Sequence, residues 1–346
     1  MRKYVITIIL ILVVTVPVSA MEFTAPSAPI SAQQYMPQQV DSFTEDLWYV
    51  IKNAISVMLP KITEASSVCV SLIAIVLLTA MLQSFTGMTG RIVNIVGVIA
   101  VSVLLIRPSN SLIRLGVQTV EELCEYTKLF FPVMTAAMAA QGGVTASAAL
   151  YAGTLAFNTF LSVIITKCIV PMIFFFILVC VAGCATEENI LIKIKGFIKW
   201  MLTWLLKCSI YLFTAYLGIT GVVSGTTDAA ALKAAKLTLS GVVPVVGSMI
   251  SDASEAILVS AGLMKNTAGV YGLVAMIAIW IGPFLQIGVQ YLMLKVTVAV
   301  CGVFESKGPM RLMNDFSSVM GFLLAMTGTS CLILLISTVC FMRGVQ

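Results

Sequence analysis

Long apolar runs follow one another along most of this 346-residue chain, and short polar stretches separate them. Hydrophobic residues make up 60% of the sequence and charged residues 10%, whereas soluble domains contain roughly 25% charged residues. A helix of about 20 apolar residues crosses a bilayer, because it satisfies all of its own backbone hydrogen bonds. The sequence therefore predicts an all-α, polytopic membrane protein with no room for a large soluble domain.

The apolar runs predict about seven to nine crossings, allowing roughly 20 residues for each. Residues 109–128 contain Arg114, Glu121, Glu122 and Glu125, and we expect this charged helix to lie at an interface instead of crossing. The run over residues 268–303 is long enough for one bent span or two short ones. The runs cover residues 67–83, 92–106, 129–140, 144–166, 168–185, 201–224, 239–264, 268–303 and 317–341.

The N-terminus has the layout of a secretory signal over residues 1–20. Arg2 and Lys3 precede an apolar run, and small residues end the segment at Ala20. We expect cleavage there; the alternative is an uncleaved first transmembrane helix. Both place the start of residues 21–64 outside the cytoplasm, ahead of a polytopic domain over residues 65–346.

The short extracytoplasmic segment changes character at Asp41. Residues 21–39 are rich in Pro, Ser, Ala and Gln and predict a flexible lead. From Asp41 onward apolar and charged residues alternate as on an amphipathic helix. Such a helix either lies at the membrane surface or docks on a partner, or it simply extends the first span.

The densest positive cluster predicts the orientation. Lys193, Lys195 and Lys199 follow two glutamates in one loop, and the positive-inside rule places them in the cytoplasm. With an external N-terminus, this requires residues 129–140 to cross as half of a tight hairpin. If that run is re-entrant instead, every later loop changes side.

The sequence gives little indication of metal, cofactor or nucleic-acid binding. The chain contains no histidine, and its nine cysteines lie mostly in apolar runs, so they resemble buried small hydrophobes more than metal ligands. There is no P-loop, and the net charge of +5 is scattered. We expect no enzymatic activity, no metal, no cofactor and no nucleic-acid partner.

Ionisable residues within one apolar stretch, residues 241–268, indicate a functional site. A charge at the bilayer centre costs about 3 kcal/mol or more, so such residues normally face a bundle interior or an aqueous cavity. The alternatives are a proline kink, a helix end at the interface and a snorkelling lysine. The candidate pathway residues are Pro244, Gly247, Asp252, Glu255, Lys265, Asn266 and Pro283; Gly221 and Gly225 form a GxxxG pattern typical of helix packing.

Two proline pairs indicate a possible internal repeat. Pro132 and Pro244 lie 112 residues apart, and so do Pro171 and Pro283. Structural repeats with proline-broken helices are typical of secondary transporters. Few other residues match between the halves, so coincidence is the alternative.

The same region resembles a known family. The string VPVVGSMISDASEAI at residues 243–257 is followed by Lys265-Asn266, Gly269, Gly272 and Gly282-Pro283. This combination resembles the stage III sporulation protein AE family of endospore-forming bacteria. The layout of a signal sequence, a short external segment and a polytopic body is similar as well.

The resemblance implies a role in the complex that the mother cell builds in the membrane around the forespore. The partners it implies are ring-forming membrane subunits, a cytoplasmic secretion-type ATPase and a forespore membrane partner, with the lipid bilayer around them. This protein would be the permease-like subunit of a channel, or feeding tube, that sustains forespore development. The alternative is a non-conducting scaffold for the rings and the ATPase. An aspartyl intramembrane protease is remote, because Asp252 lacks a matching second aspartate.

Overall fold

The computed structural model describes residues 25–37, 42–86, 90–141, 143–186, 188–242, 247–304 and 307–343, with the backbone alone for residues 64, 85–86, 218–242, 247–265 and 343. The described residues form helices and short connections without a strand. After a single turn, α1, the helices are long, and Pro60, Pro108, Pro132 and Pro283 lie inside them without ending them. The helices are α1 Ile30–Gln33, α2 Phe43–Thr86, α3 Gly90–Ala140, α4 Val144–Ile164, α5 Val170–Thr186, α6 Asn189–Val242, α7 Gly247–Cys301 and α8 Lys307–Arg343.

Six helical stretches of the described chain are long and apolar enough to cross a membrane. This confirms the predicted all-α, multi-pass fold. Two expected spans merge, because a π turn at Ile165–Ile169 joins α4 to α5 without a break. Pro171 follows this turn and cannot donate a backbone hydrogen bond into it. The six stretches are Phe43–Ser84, Gly90–Ala140, Val144–Thr186, Asn189–Leu217, Asn266–Cys301 and Lys307–Met342.

The charged stretch at residues 109–128 does not form a separate interfacial helix. It is the middle of α3, which runs unbroken from Gly90 to Ala140 and includes the apolar run 129–140. One face of the stretch is buried in the bundle, while Arg114, Glu121 and Glu125 are exposed on the other. Because residues 129–140 belong to α3, they are neither a separate crossing nor a re-entrant loop.

The ends of three successive helix pairs lie together at one end of the bundle, which we call the hairpin end. The pairs are α2 with α3, α5 with α6, and α7 with α8. Asn94 of α3 donates a hydrogen bond of 3.4 Å to the carbonyl of Cys184 at the end of α5, and Asn94 also lies against Gly308 at the start of α8. The cations at this end are Arg91, Lys193, Lys195, Lys199, Lys307 and Arg311.

Two apolar cores fill the bundle. The first core contains Leu105, Phe176 and Phe316 and involves α5 and the early part of α8. The second core contains an aromatic group from α3 and α8, in which the Phe131 and Phe341 ring centroids lie 5.2 Å apart. Burying aromatic side chains contributes the largest apolar area per residue, so these rings hold the far half of the bundle together.

The amphipathic stretch after Asp41 belongs to α2 and is continuous with the first span. Its Val50, Ala54 and Met58 are buried, and Val50 and Ala54 belong to the second core. This favours the interpretation that the stretch extends the first span. The boundary expected between residues 64 and 65 therefore falls inside one helix.

The prolines proposed as repeat partners differ in their local structure. Pro132 and Pro283 lie inside α3 and α7 without ending either helix, whereas Pro171 follows the π turn. Pro244 lies outside the described residues. The pair Pro171 and Pro283 thus shares no common helix break, and the internal repeat stays a prediction.

Packing of α3 against α7 depends on Gly272, which leads to a test of the second core. A Cβ atom at Gly272 would overlap the ring of Phe130, and Phe130 is fully buried. We expect Gly272→Ala to lower the free energy of unfolding, because overpacking costs about 1–3 kcal/mol and exceeds the gain in helix propensity of about 1 kcal/mol.

Thermal unfolding of the purified protein in detergent measures this effect. Gly328→Ala in α8 is the matched control, since nothing lies within 4 Å of the added atom. The control should leave the melting temperature unchanged or raise it. Equal melting temperatures for the two variants would contradict the close approach of α3 and α7.

Candidate functional site

The structure describes only part of the predicted site. Pro244 lies outside the described residues. For six further candidates only the backbone is described: Gly247, Asp252, Glu255 and Lys265 on α7, and Gly221 and Gly225 on α6. Asn266 is exposed. Pro283 lies about 25 Å further along α7, at 1.5 Å per residue. The described residues therefore do not bring Asn266 and Pro283 into one site.

Pro283 lines a polar cavity, which we call the Pro283 cavity. It has a volume of about 150 Å³ and lies between α2, α3, α7 and the N-terminal segment, residues 25–37. Polar side chains from all four elements meet here, and several of them are exposed: Ser31, Gln34, Lys61 and Gln118. The lining residues are Ser31, Gln34, Tyr35, Lys61, Leu115, Gln118, Thr119, Glu122, Ile279, Gly282, Pro283 and Gln286.

The two charges of the Pro283 cavity are held by neutral groups. Lys61 Nζ donates a hydrogen bond of 2.8 Å to Gln286 Oε1. Glu122 accepts one of 2.6 Å from Ser31 Oγ and one of 2.9 Å from Gln118 Nε2. No ion pair within 4.0 Å joins Lys61 to Glu122. A cation and an anion thus line the same cavity without neutralising each other.

Gly282 and Pro283 shape the α7 side of this cavity. The hydroxyl of Tyr35 would lie 2.5 Å from a Cβ atom at Gly282, so only glycine permits this approach. Pro283 has no backbone N–H, so the carbonyl of Ile279, four residues earlier, lacks its helical donor. Burial raises the pKa of the Tyr35 phenol above its usual value.

The N-terminal segment covers the polar region from one side. Ala28, Ala32 and Tyr35 are buried against the second core. The backbone N–H of Ala28 donates to Tyr271 Oη at 3.3 Å, and Asn53 Nδ2 donates to the Gln34 carbonyl at 2.7 Å. A second cavity of about 310 Å³ lies under the same segment, and Glu122 lines both cavities.

Sequence reasoning missed Lys61, Gln118, Glu122 and Gln286 as site residues. Glu122 was placed at an interface, because its stretch of α3 is too charged to cross a bilayer. A signal existed at Gln286, a polar residue three positions after Pro283 within an apolar run. Its partner Lys61 lies 225 residues away in the chain, and periodicity cannot predict that contact.

A different polar centre lies at the hairpin end. Lys195 Nζ is 3.0 Å from both carboxylate oxygens of Asp315, and this is the single ion pair that the described side chains form. Cys184 Sγ lies 3.9 Å from Asp315 Oδ2. A cavity of about 250 Å³ beside the pair is lined by Cys180, Cys184, Lys195 and Arg311 among others. This ion pair ties α6 to α8.

In the described part of the chain, no group of three or more His, Cys, Asp or Glu residues lies close enough together to hold a metal ion. All nine cysteines are free thiols, and Cys69, Cys124, Cys180, Cys184, Cys301 and Cys331 are buried.

The fold and the Pro283 cavity define a class: a multi-pass helical membrane protein with a cavity between its helices that Lys61 and Glu122 line. Within that class the family is clear. The family model of stage III sporulation protein AE matches residues 30–344, and the chain belongs to this family. The resemblance predicted from residues 243–285 is thereby confirmed, and with it a role in sporulation.

One curated relative shows the extent of the similarity. Stage III sporulation protein AE of Bacillus subtilis (strain 168) is 22% identical over 188 residues, which cover 54% of this chain and 47% of the relative. The matched region thus spans about half of the relative's length. No solved structure matches the chain.

The Lys195–Asp315 pair predicts an asymmetric effect of mutation. The Asp315 side chain is 9% exposed and that of Lys195 is 26% exposed. Lys195→Met leaves a buried, unpaired carboxylate, and we expect a loss of about 3–5 kcal/mol in the free energy of unfolding. Asp315→Asn should cost less, because a flexible lysine can turn its ammonium group toward water.

Thermal unfolding in one detergent compares the single variants with the double variant Lys195→Met/Asp315→Leu, which should recover most of the stability. Lys193→Met, at an exposed position of the same helix, is the control and should melt like the wild type. A larger loss in Asp315→Asn than in Lys195→Met would contradict the burial of the carboxylate.

Proposed function

We propose that this protein is the permease-like membrane subunit of a sporulation-specific transenvelope channel between mother cell and forespore. It would lie in the mother-cell membrane that surrounds the forespore and would act without enzymatic chemistry of its own. The Pro283 cavity carries this proposal. Charged and amide side chains from α2, α3 and α7, including Lys61, Glu122 and Gln286, converge on one space there.

The arrangement suits passage of a small polar solute. Lys61, Glu122, Gln118 and Gln286 supply both donors and acceptors, and the Ile279 carbonyl released by Pro283 adds an acceptor. Such a mixture replaces the hydration shell of a solute that leaves water. The N-terminal segment lies across this space, so its position controls access. Asp252, Glu255 and Lys265 remain candidates for the same path along α7.

The proposed channel requires partner proteins. The sequence contains no nucleotide-binding loop, so energy for transport would come from a cytoplasmic secretion-type ATPase. Ring-forming membrane subunits and a forespore membrane partner would extend the path across the space between the two membranes. Membership of a sporulation family supports sporulation proteins as the class of partner.

Charge-neutral variants of the cavity test the proposal in the spore-forming host. We expect Lys61→Gln and Glu122→Gln each to lower the number of heat-resistant spores by about tenfold or more, since a lost charged hydrogen bond weakens a binding site by about 1.5–3 kcal/mol. Glu122 is half-buried and Lys61 is exposed, so neither change should unfold the protein.

Lys52→Gln and Glu121→Gln are matched controls, because they remove the same charges from exposed positions on α2 and α3 that do not line the cavity. Co-purification of the partner proteins shows whether the complex still assembles. Normal sporulation of both cavity variants would overturn the proposal. If a cavity variant lost both the complex and sporulation, the residue would be needed for assembly of the complex.

A second candidate function, a non-conducting scaffold, is favoured by an aromatic surface on α6. Phe197 packs against Trp200 in a tilted arrangement with ring centroids 6.0 Å apart, and Trp200 stacks on Trp204 at 6.4 Å. The two tryptophans are 60% and 53% exposed. Tryptophan on an exposed helix face anchors at a membrane interface or in a partner's pocket.

The scaffold hypothesis predicts that Trp200→Leu/Trp204→Leu releases a partner while the protein itself stays in the membrane at normal levels. Loss of a central aromatic anchor typically costs about 2 kcal/mol or more of binding free energy. Pull-down of the complex from sporulating cells measures the loss. Tyr211→Leu, which changes another exposed aromatic residue of α6, is the control. Retention of every partner by the double variant would leave these tryptophans with lipid contacts alone.

A further inference from the structure

We propose that the Pro283 cavity binds a zwitterionic compound, in which an ammonium group and an oxyanion lie a few atoms apart. A small amino acid has this chemistry, and so does the phosphoethanolamine head of a lipid. The inference deepens the proposed function, since it names the chemical class that the permease site would take. Binding can nevertheless be measured without any assay of transport.

The separation of Lys61 from Glu122 is the first argument. Both side chains line one cavity, yet no ion pair within 4.0 Å joins them. Lys61 is instead directed to Gln286, and Glu122 to Ser31 and Gln118. A ligand with an oxyanion near Lys61 and an ammonium group near Glu122 pairs with both residues at once. A simple ion pairs with only one of them.

The remaining hydrogen-bonding capacity is the second argument. A lysine ammonium group has three donors, and a carboxylate has about four acceptor positions. Gln286 takes one donor of Lys61, while Ser31 and Gln118 take two acceptor positions of Glu122. Donors for an oxyanion therefore remain on Lys61 of α2, and acceptors for an ammonium group remain on Glu122 of α3. The Ile279 carbonyl adds an acceptor on the α7 side.

The size and the apolar lining match a small ligand. A water molecule takes up about 30 Å³ of liquid volume, so a cavity of about 150 Å³ holds a compound of a few heavy atoms. Leu115 and Ile279 line the same space and would contact the carbon atoms between the two charged groups. Larger solutes would require the N-terminal segment to move.

The experiment uses the full-length protein in phosphatidylglycerol nanodiscs with radiolabelled glycine as the probe. We expect saturable glycine binding that neither acetate nor methylammonium displaces at the same concentration, because each carries only one of the two charges. Lys61→Gln and Glu122→Gln should weaken glycine binding by about tenfold or more. Lys52→Gln and Glu121→Gln should bind glycine as the wild type does.

A second set of nanodiscs identifies the source of the zwitterion. If a lipid head is the occupant, glycine does not bind, and added phosphatidylethanolamine raises the melting temperature of the wild type but not of Lys61→Gln or Glu122→Gln. Both of these results support the inference. It is overturned if neither glycine nor phosphatidylethanolamine has an effect, if acetate or methylammonium displaces glycine equally well, or if the cavity variants respond like the wild type.

The outcomes separate this inference from the proposed function. Spore counts that fall in Glu122→Gln, with no zwitterion bound by the purified wild type, would overturn the inference and leave the permease proposal standing. Zwitterion binding together with normal spore counts in both Lys61→Gln and Glu122→Gln would support the inference and overturn the permease proposal. Melting temperatures of all four variants verify that each protein is folded.

Discussion

The length of the helices is the constraint on which the rest of this structure depends. Helix α3 has 51 residues and extends about 77 Å at 1.5 Å per residue, while the hydrocarbon core of a bilayer is about 30 Å thick. A single helix therefore contains both an apolar span and a charged section. Lipid excludes charges only over the part of the helix that it covers, so the charged section needs no separate helix of its own.

The position of the Pro283 cavity follows from this arrangement. The charged section of α3 lies beside the part of α2 that precedes the first apolar run, and Glu122 and Lys61 come from these two sections. Helix α7 contributes Gln286 and the proline that releases a backbone carbonyl. The second core, with its stacked aromatic rings on α3 and α8, keeps the long helices packed beyond the first core. The N-terminal segment joins that core through Ala32 and Tyr35 and thereby covers the cavity.

The sequence predicts the fold class and most of the spans, because apolar runs of crossing length have few other structures available. It does not predict how neighbouring runs join. The charges of residues 109–128 and Pro171 both suggest helix ends, yet α3 continues through the first and a π turn carries the chain past the second. The Pro283 cavity could not be predicted from the sequence for a different reason. Its contacts, such as Lys61 with Gln286, join residues of different helices, and spacing along one helix contains no information about them. Pro283 alone was predicted, because a proline in an apolar helix is a local signal.

The two polar centres use the same residue types for opposite purposes. At the hairpin end, Lys195 and Asp315 neutralise each other at 3.0 Å, and the buried carboxylate has no charge left to offer a ligand. In the Pro283 cavity, the lysine and the glutamate are each held by neutral side chains, so their charges stay available. An ion pair such as Lys195–Asp315 fixes two helices relative to each other. Two opposite charges that line a cavity without pairing can each form an ion pair with a bound ligand. The contrast indicates a structural role for the first centre and leaves the charges of the second available for the ligand proposed above.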